Sequence, residues 1–323
     1  MSASPRAPRA PVAGRSLLVG GLCGLGALLA ATPAAAFCRT TTCVPGETCE
    51  YDPATGCALT GLPLEWKRPC VSFGVQQDAS PLRGISYDEA HGIIENAYAN
   101  WLASPCEGGL PSIDIADFGP IACAQPEYNQ AGPNANVWMF RDDVWGEDDG
   151  RGTAASETPS GTLAITIITY NPETGEIFDA DVEINSLQVP ITTSDTDVQF
   201  DLASIVTHEA GHFLGLSHSR VPDSTMRAGY LPGTTTLRQL SEDDHAGMCS
   251  IYPPDRELPA GNCTPRHGFS SSCYEEDTGC AVAASSAIGL GGAGRATWWG
   301  LLAGLVGLGA LSRRRERARA ARS

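Results

Sequence analysis

His208-Glu209-Ala210-Gly211-His212-Phe213-Leu214-Gly215-Leu216-Ser217-His218 is the stretch from which the fold and chemistry of this 323-residue chain are read. On an α-helix, residues four apart share a face, so His208 and His212 point at one place. Gly215 lets the backbone leave the helix through a conformation that costs a side chain energy. The turn brings His218 round as a third nitrogen donor. Three histidines around one tetrahedral ion leave a fourth position for water, the pattern of a catalytic rather than a structural zinc site. Glu209, beside the first donor, is placed to take a proton from that water. A hydrogen-bonded pair of core histidines would explain His208 and His212, but not Glu209, Gly215 or His218. A lone H-E-x-x-H arises by chance; the eleven-residue form followed by Met226, eight residues on, is far more specific.

With Val221-Pro222-Asp223-Ser224-Thr225-Met226 and Leu240-Ser241-Glu242-Asp243-Asp244, this stretch resembles a metzincin zinc peptidase of the matrixin type, of the secreted bacterial kind. The likeness covers roughly 64–254 and is densest over 161–252. It implies an α+β, zincin-like fold: a twisted mixed β-sheet packed on two long helices, with a short subdomain after the third histidine. It also implies one catalytic zinc on His208, His212 and His218, Glu209 as general base, and Met226 in a turn beneath the metal. The substrates it implies are proteins or peptides.

Gly161-Thr162-Leu163-Ala164 matches the family's cleft-lining edge strand, to which an extended substrate adds as a further strand. Animal members place a structural-zinc histidine after the Leu-Ala; here Ile165 stands there, so no second zinc is expected. By the same resemblance, 220–232 forms the wall of the pocket for the residue after the scissile bond. Astacins and serralysins carry an oxyanion-stabilising tyrosine two residues past the methionine. That position is Ala228 here, and Tyr230, four past, is kept as a substrate-binding candidate. No Pro-Arg-Cys-Gly context occurs, so latency through that switch is not expected. Related enzymes bind calcium near Asp179, Asp181 and Glu183. Their spacing matches no EF-hand loop, so these residues read as an acidic, solvated strand face and calcium lacks a clear loop motif.

The two ends read as targeting segments. Residues 1–36 join Arg6, Arg9 and Arg15 to an apolar run from Leu17 and end in Ala34-Ala35-Ala36, the form of a secretory signal peptide. Residues 295–323 join a short apolar span to an arginine cluster, the form of a membrane anchor with its arginines inside. The same tail resembles the sorting segments called MYXO-CTERM, with Cys280 as the upstream cysteine. Between the ends, 11 basic side chains face 36 acidic ones, a net charge near −25. Such a field repels nucleic acid and suits an extracellular, monomeric protein that meets membrane only through its tail. Of 12 cysteines, ten remain when Cys23 and Cys280 are set aside, enough for five disulfides whose pairing the spacing leaves open.

Residues 37–63, with Cys38, Cys43, Cys49 and Cys57, read as a disulfide-stapled lead-in to a catalytic domain at 64–254, followed by a disulfide-pinned stalk at 255–294. Leu64 to Val75 opens that domain as a strand. Ser86 with Glu89 caps a helix over about 87–103, whose apolar stripe is Ala90, Ile93, Ile94, Ala97 and Trp101. Residues 136–140 and 162–170 read as strands, as does 176–185. Asp201 caps the motif helix to about Leu214, and Ser241 caps a last helix to about Tyr252. The competing reading is a surface binding or adhesion module that keeps this scaffold without turnover. The presence of Glu209 argues against it.

Overall fold

The computed structural model describes residues 36–145 and 161–273. The expected signal peptide up to residue 35, the span and arginine tail, Cys280 and most of the acidic 142–161 loop lie outside them. Among the described residues no helix is long and apolar enough to cross a membrane.

Five strands form the main sheet: β2 (Cys70–Gln76), β3 (Asp114–Ile121), β4 (Val137–Phe140), β5 (Ala164–Tyr170) and β6 (Ile177–Ile184), in the order β3-β2-β4-β6-β5. Four run parallel, and β5 lies antiparallel on β6 at one edge. Two long helices pack on this sheet, α1 (Tyr87–Leu102) and α2 (Leu202–Phe213). The α+β architecture expected from the motif is therefore present: a mixed sheet on two helices.

Both helices begin where their caps place them. The Ser86 side chain accepts from Glu89 N–H, and Asp201 Oδ2 accepts from Ser204 N–H at 2.8 Å. Leu202, Val206, Ala210 and Phe213 are fully buried along the inner face of α2. Aromatic rings back that face. Tyr98 meets Phe213 edge-on with centroids 5.3 Å apart, and the indole N–H groups of Trp66 and Trp101 donate to Phe213 O and Thr207 O, each at 2.8 Å. These two buried indoles thus each have an acceptor, so their apolar bulk is gained without an orphaned donor.

The lead-in is tied to the motif helix. Strand β1 (Cys38–Arg39) pairs antiparallel with β9 (Leu216–Ser217), and Thr40 N–H donates to Gly215 O. Gly215 has φ +97°, and a side chain there would meet Leu64 O at 2.7 Å, so both the turn and the packing require glycine. Two further strands, β7 (Ile191–Thr192) and β8 (Phe200–Asp201), pair just before α2.

Among the described residues five disulfides form: Cys38–Cys57, Cys43–Cys49, Cys70–Cys263, Cys106–Cys249 and Cys123–Cys273. Up to residue 273, the segment expected as a stalk lies against the domain. Cys263 bonds β2, Ala122 N–H donates to Ser271 O, and Phe269 meets Phe118 edge-on at 4.9 Å.

One expectation is overturned. Asp179, Asp181 and Glu183 alternate along β6 as read, but none is solvated; all three are at most 3% exposed. Asp181 accepts from Val137 N–H at 2.8 Å and from Glu127 N–H at 3.0 Å, and Glu183 pairs with the buried Arg141. Backbone donors take the place of water at Asp181, and the Arg141 guanidinium does so at Glu183. Burial and the mutual proximity of the acids raise Asp179 well above the usual carboxylate range and push Asp181 up to about 8.

Candidate active site

Helix α2 presents His208 and His212 one turn apart, and the turn at Gly215 delivers His218 from beyond β9. His208 Nδ1 lies 2.7 Å from Thr225 O, and His212 Nδ1 lies 2.9 Å from Leu216 O. A carbonyl can only accept, so in the neutral rings these Nδ1 atoms carry the protons and the Nε2 atoms keep their lone pairs. The Nε2 atoms converge, His212 lying 3.1 Å from His208 and 3.3 Å from His218. Two acceptors at that distance with no proton between them repel, and a cation at their centre removes the conflict. A tetrahedral zinc about 2.0–2.1 Å from each nitrogen needs them roughly 3.3–3.4 Å apart. The donor set fits that ion. Burial lowers all three histidines, His208 and His218 to about 4, so they are neutral, lone-pair ligands near pH 7.

Met226 is buried beneath this triad and held by a network that the sequence did not reveal. Asp244, at the start of α3 (Glu242–Ile251), accepts from Ser224 Oγ at 2.6 Å, Thr225 N–H at 2.7 Å and Met226 N–H at 3.2 Å. The same carboxylate completes a capping box with Ser241. One buried acid thus starts the last helix and shapes the methionine turn. That turn in turn supplies Thr225 O to orient His208.

The histidines open onto a cavity of about 700 Å³. One wall is Gly161, Thr162, Leu163 and Ala164 running into β5; the other is 227–230 with Leu237. The sheet order leaves the outer edge of β5 unpaired among the described strands, open to an extended chain. Tyr230 lines the cavity, but its hydroxyl is already used. It accepts from Asp201 N–H at 2.9 Å and donates to Thr234 O, which leaves the ring as wall rather than the hydroxyl as a free donor.

Glu209 stands between the histidines and β5, 6% exposed. Burial raises its carboxyl above the usual range, with His212 and a Thr166 hydrogen bond pulling the other way. Thr166 was not singled out from sequence. The available signal was strand alternation, which puts it on the same face as Ala164 and Ile168.

Residues 142–253 match the family model described as Matrixin. The domain is matrixin-like. Human neutrophil collagenase is 25% identical over 221 residues, covering 68% of this chain and 40% of the collagenase. Metalloendoproteinase 1-MMP of Arabidopsis thaliana is 31% identical over 108 residues, 32% of this chain and 28% of that protein. Rat matrilysin is 36% identical over 66 residues, 20% of this chain and 25% of matrilysin. The chain spans between a quarter and two fifths of the length of these relatives. The motif helix, the third histidine, the methionine turn and the start of α3 all fall inside the matrixin-like match, whereas the lead-in, α1, β2 and β3 precede it.

Proposed function

We propose that this chain is a zinc-dependent endopeptidase that cleaves extended segments of extracellular proteins. The observation that carries the proposal is the convergence of the Nε2 atoms of His208, His212 and His218 beside a buried carboxylate, in a cleft bordered by an open strand edge. His208, His212 and His218 would hold the metal, which when bound supplies Lewis acidity toward water and the scissile carbonyl.

The chain's own residues do the rest. The edge of β5 pairs with the substrate backbone and lays the scissile bond across the histidines. Glu209 accepts the proton of the attacking water and hands it to the leaving amine. Phe200, Leu237 and the Tyr230 ring give the pocket beside His208 apolar sides for the residue that follows the cut. Action outside the reducing cytosol is part of the proposal, and the five disulfides support it.

The test is casein or gelatin cleavage by the wild type and Glu209→Gln, with zinc measured in both. Gln keeps the side-chain volume but takes no proton. The variant should therefore hold wild-type zinc and lose activity by about 10²- to 10⁴-fold. Cleavage at the wild-type rate by the zinc-loaded variant would remove Glu209 from the reaction.

A further inference from the structure

We propose that Thr166 is a positioning residue for Glu209, clamping one carboxylate oxygen so that the other is presented to the water. The proposal rests on the peptidase reading above. Thr166 Oγ1 donates to Glu209 Oε2 at 2.6 Å, across 43 residues of sequence. Among the described residues no other hydrogen bond to this carboxylate is seen, and none of them donates to Oε1. Both residues line the cavity that holds the histidines.

The geometry is well suited to holding a base still. Glutamate has three rotatable bonds, so an unanchored side chain spreads over several rotamers. Helix α2 fixes only the root of Glu209; its tip needs an anchor from elsewhere. Thr166 lies on β5, paired opposite Val182 of β6, so its backbone is set by the sheet and not by a loop. As a β-branched residue in a strand it has few χ1 choices. Its single hydroxyl proton, given to an anionic acceptor, makes a short charge-assisted bond. The same strand whose outer edge would receive the substrate therefore also sets the base, so substrate backbone and proton acceptor share one frame of reference.

Thr166→Val tests this, because valine keeps the shape and strand preference and removes the hydroxyl. Thr166→Ser keeps the hydroxyl and removes the methyl group. Thr166→Val should lower kcat about ten- to a hundredfold, in keeping with the sensitivity of such reactions to ångström displacements. KM and bound zinc should stay within twofold of wild type, and Thr166→Ser should recover most of kcat. In a Glu209→Ala background, Thr166→Val should change the residual rate by less than twofold, since the group it positions is gone. Crystal structures should show one Glu209 rotamer in wild type and Thr166→Ser, and several in Thr166→Val. Wild-type kcat in Thr166→Val, a rise in KM with kcat unchanged, or a Ser variant as slow as the Val variant would each overturn the proposal. Full activity of Glu209→Ala, or a zinc-loaded wild type with no cleavage, would instead overturn the peptidase reading beneath it.

Discussion

Gly211 gives the clearest contest between two effects of known size. It sits in the last turn of α2 between the two histidines, where glycine costs up to about 1 kcal/mol relative to alanine. On propensity alone, Gly211→Ala should stabilise the fold by that amount. The surroundings oppose it. A Cβ built at Gly211 falls on Met226 Sδ, 3.1 Å from Met226 Cε and 2.8 Å from Trp101 Cζ2. Trp101 is fully buried and pinned by its bond to Thr207 O, so it does not yield. Met226 is 2% exposed and its backbone is held by Asp244, so its side chain must leave its rotamer or the turn must shift. Overpacking of this kind costs about 1–3 kcal/mol. The net expectation is a loss of up to about 2 kcal/mol in metal-free protein. The zinc-loaded protein should lose more, because the displaced turn carries Thr225 O, the acceptor for His208 Nδ1. Thermal unfolding with and without chelator, together with zinc titration, reads both quantities. A Gly211→Ala protein that melts at or above the wild-type temperature and binds zinc as tightly would refute the argument that Met226 backs the metal site.

Two further predictions concern charges that the fold has buried. In the presence of chelator, Asp179→Asn should raise stability at pH 8 and raise it by much less at pH 5. Folded-state carboxyl pKa values above the unfolded ones mean that the folded form binds more protons. That stability is full below about pH 4 and is lost as pH rises toward 8, by up to about 1.4 kcal/mol per pH unit for each proton. Melting curves across pH 5–8 check the sign, and equal gains at both ends would refute it. Arg238→Ala should cost about 3 kcal/mol by stranding the buried Asp201, which takes two bonds from that guanidinium at 2.8 and 2.6 Å while capping α2. Adding Asp201→Asn should recover part of the loss in urea unfolding; a double variant no better than Arg238→Ala would show that the cost was not the stranded charge.

What was legible in the sequence was local. The caps at Ser86, Asp201 and Ser241, the apolar stripe of α1 and the histidine spacing on α2 all depend on residues within a few positions of one another. Elements settled by distant partners were not legible. Strand β3 holds Gly119 and Pro120 and shows no clean alternation, because it is an edge strand covered in part by the 269–271 segment. The acidic run on β6 was misread for the same reason. Three carboxylates at alternate positions mean a wet face unless something else donates. Here Asp181 takes Val137 N–H and Glu127 N–H, backbone groups that no residue type announces, and Glu183 takes the guanidinium of Arg141, 42 residues away. The bonds of Asp244 to the methionine turn and of Thr166 to Glu209 were not legible because the partners lie about 20 and 43 residues away.

The placement of the covalent bonds explains why site integrity and global stability should respond separately to these changes. No cysteine lies between Cys123 and Cys249, so β5, α2, the third histidine and the methionine turn carry no disulfide. The bonds that close long loops, Cys70–Cys263 across 193 residues and Cys106–Cys249 across 143, join the scaffold around them. In the chain-entropy view, each such loop stabilises the fold by roughly 5 kcal/mol through the unfolded state. That contribution is indifferent to where Glu209 or His208 points. The active elements instead depend on a few hydrogen-bonded hubs: Asp244 for the turn, Asp201 with Arg238 for the start of the helix, and Thr166 for the carboxylate. Hydrogen-bonded hubs act within the folded state and set geometry directly. Changes at Gly211 or Thr166 should accordingly move zinc affinity or kcat out of proportion to melting temperature, because the stapled scaffold keeps the chain folded while the site loses its alignment.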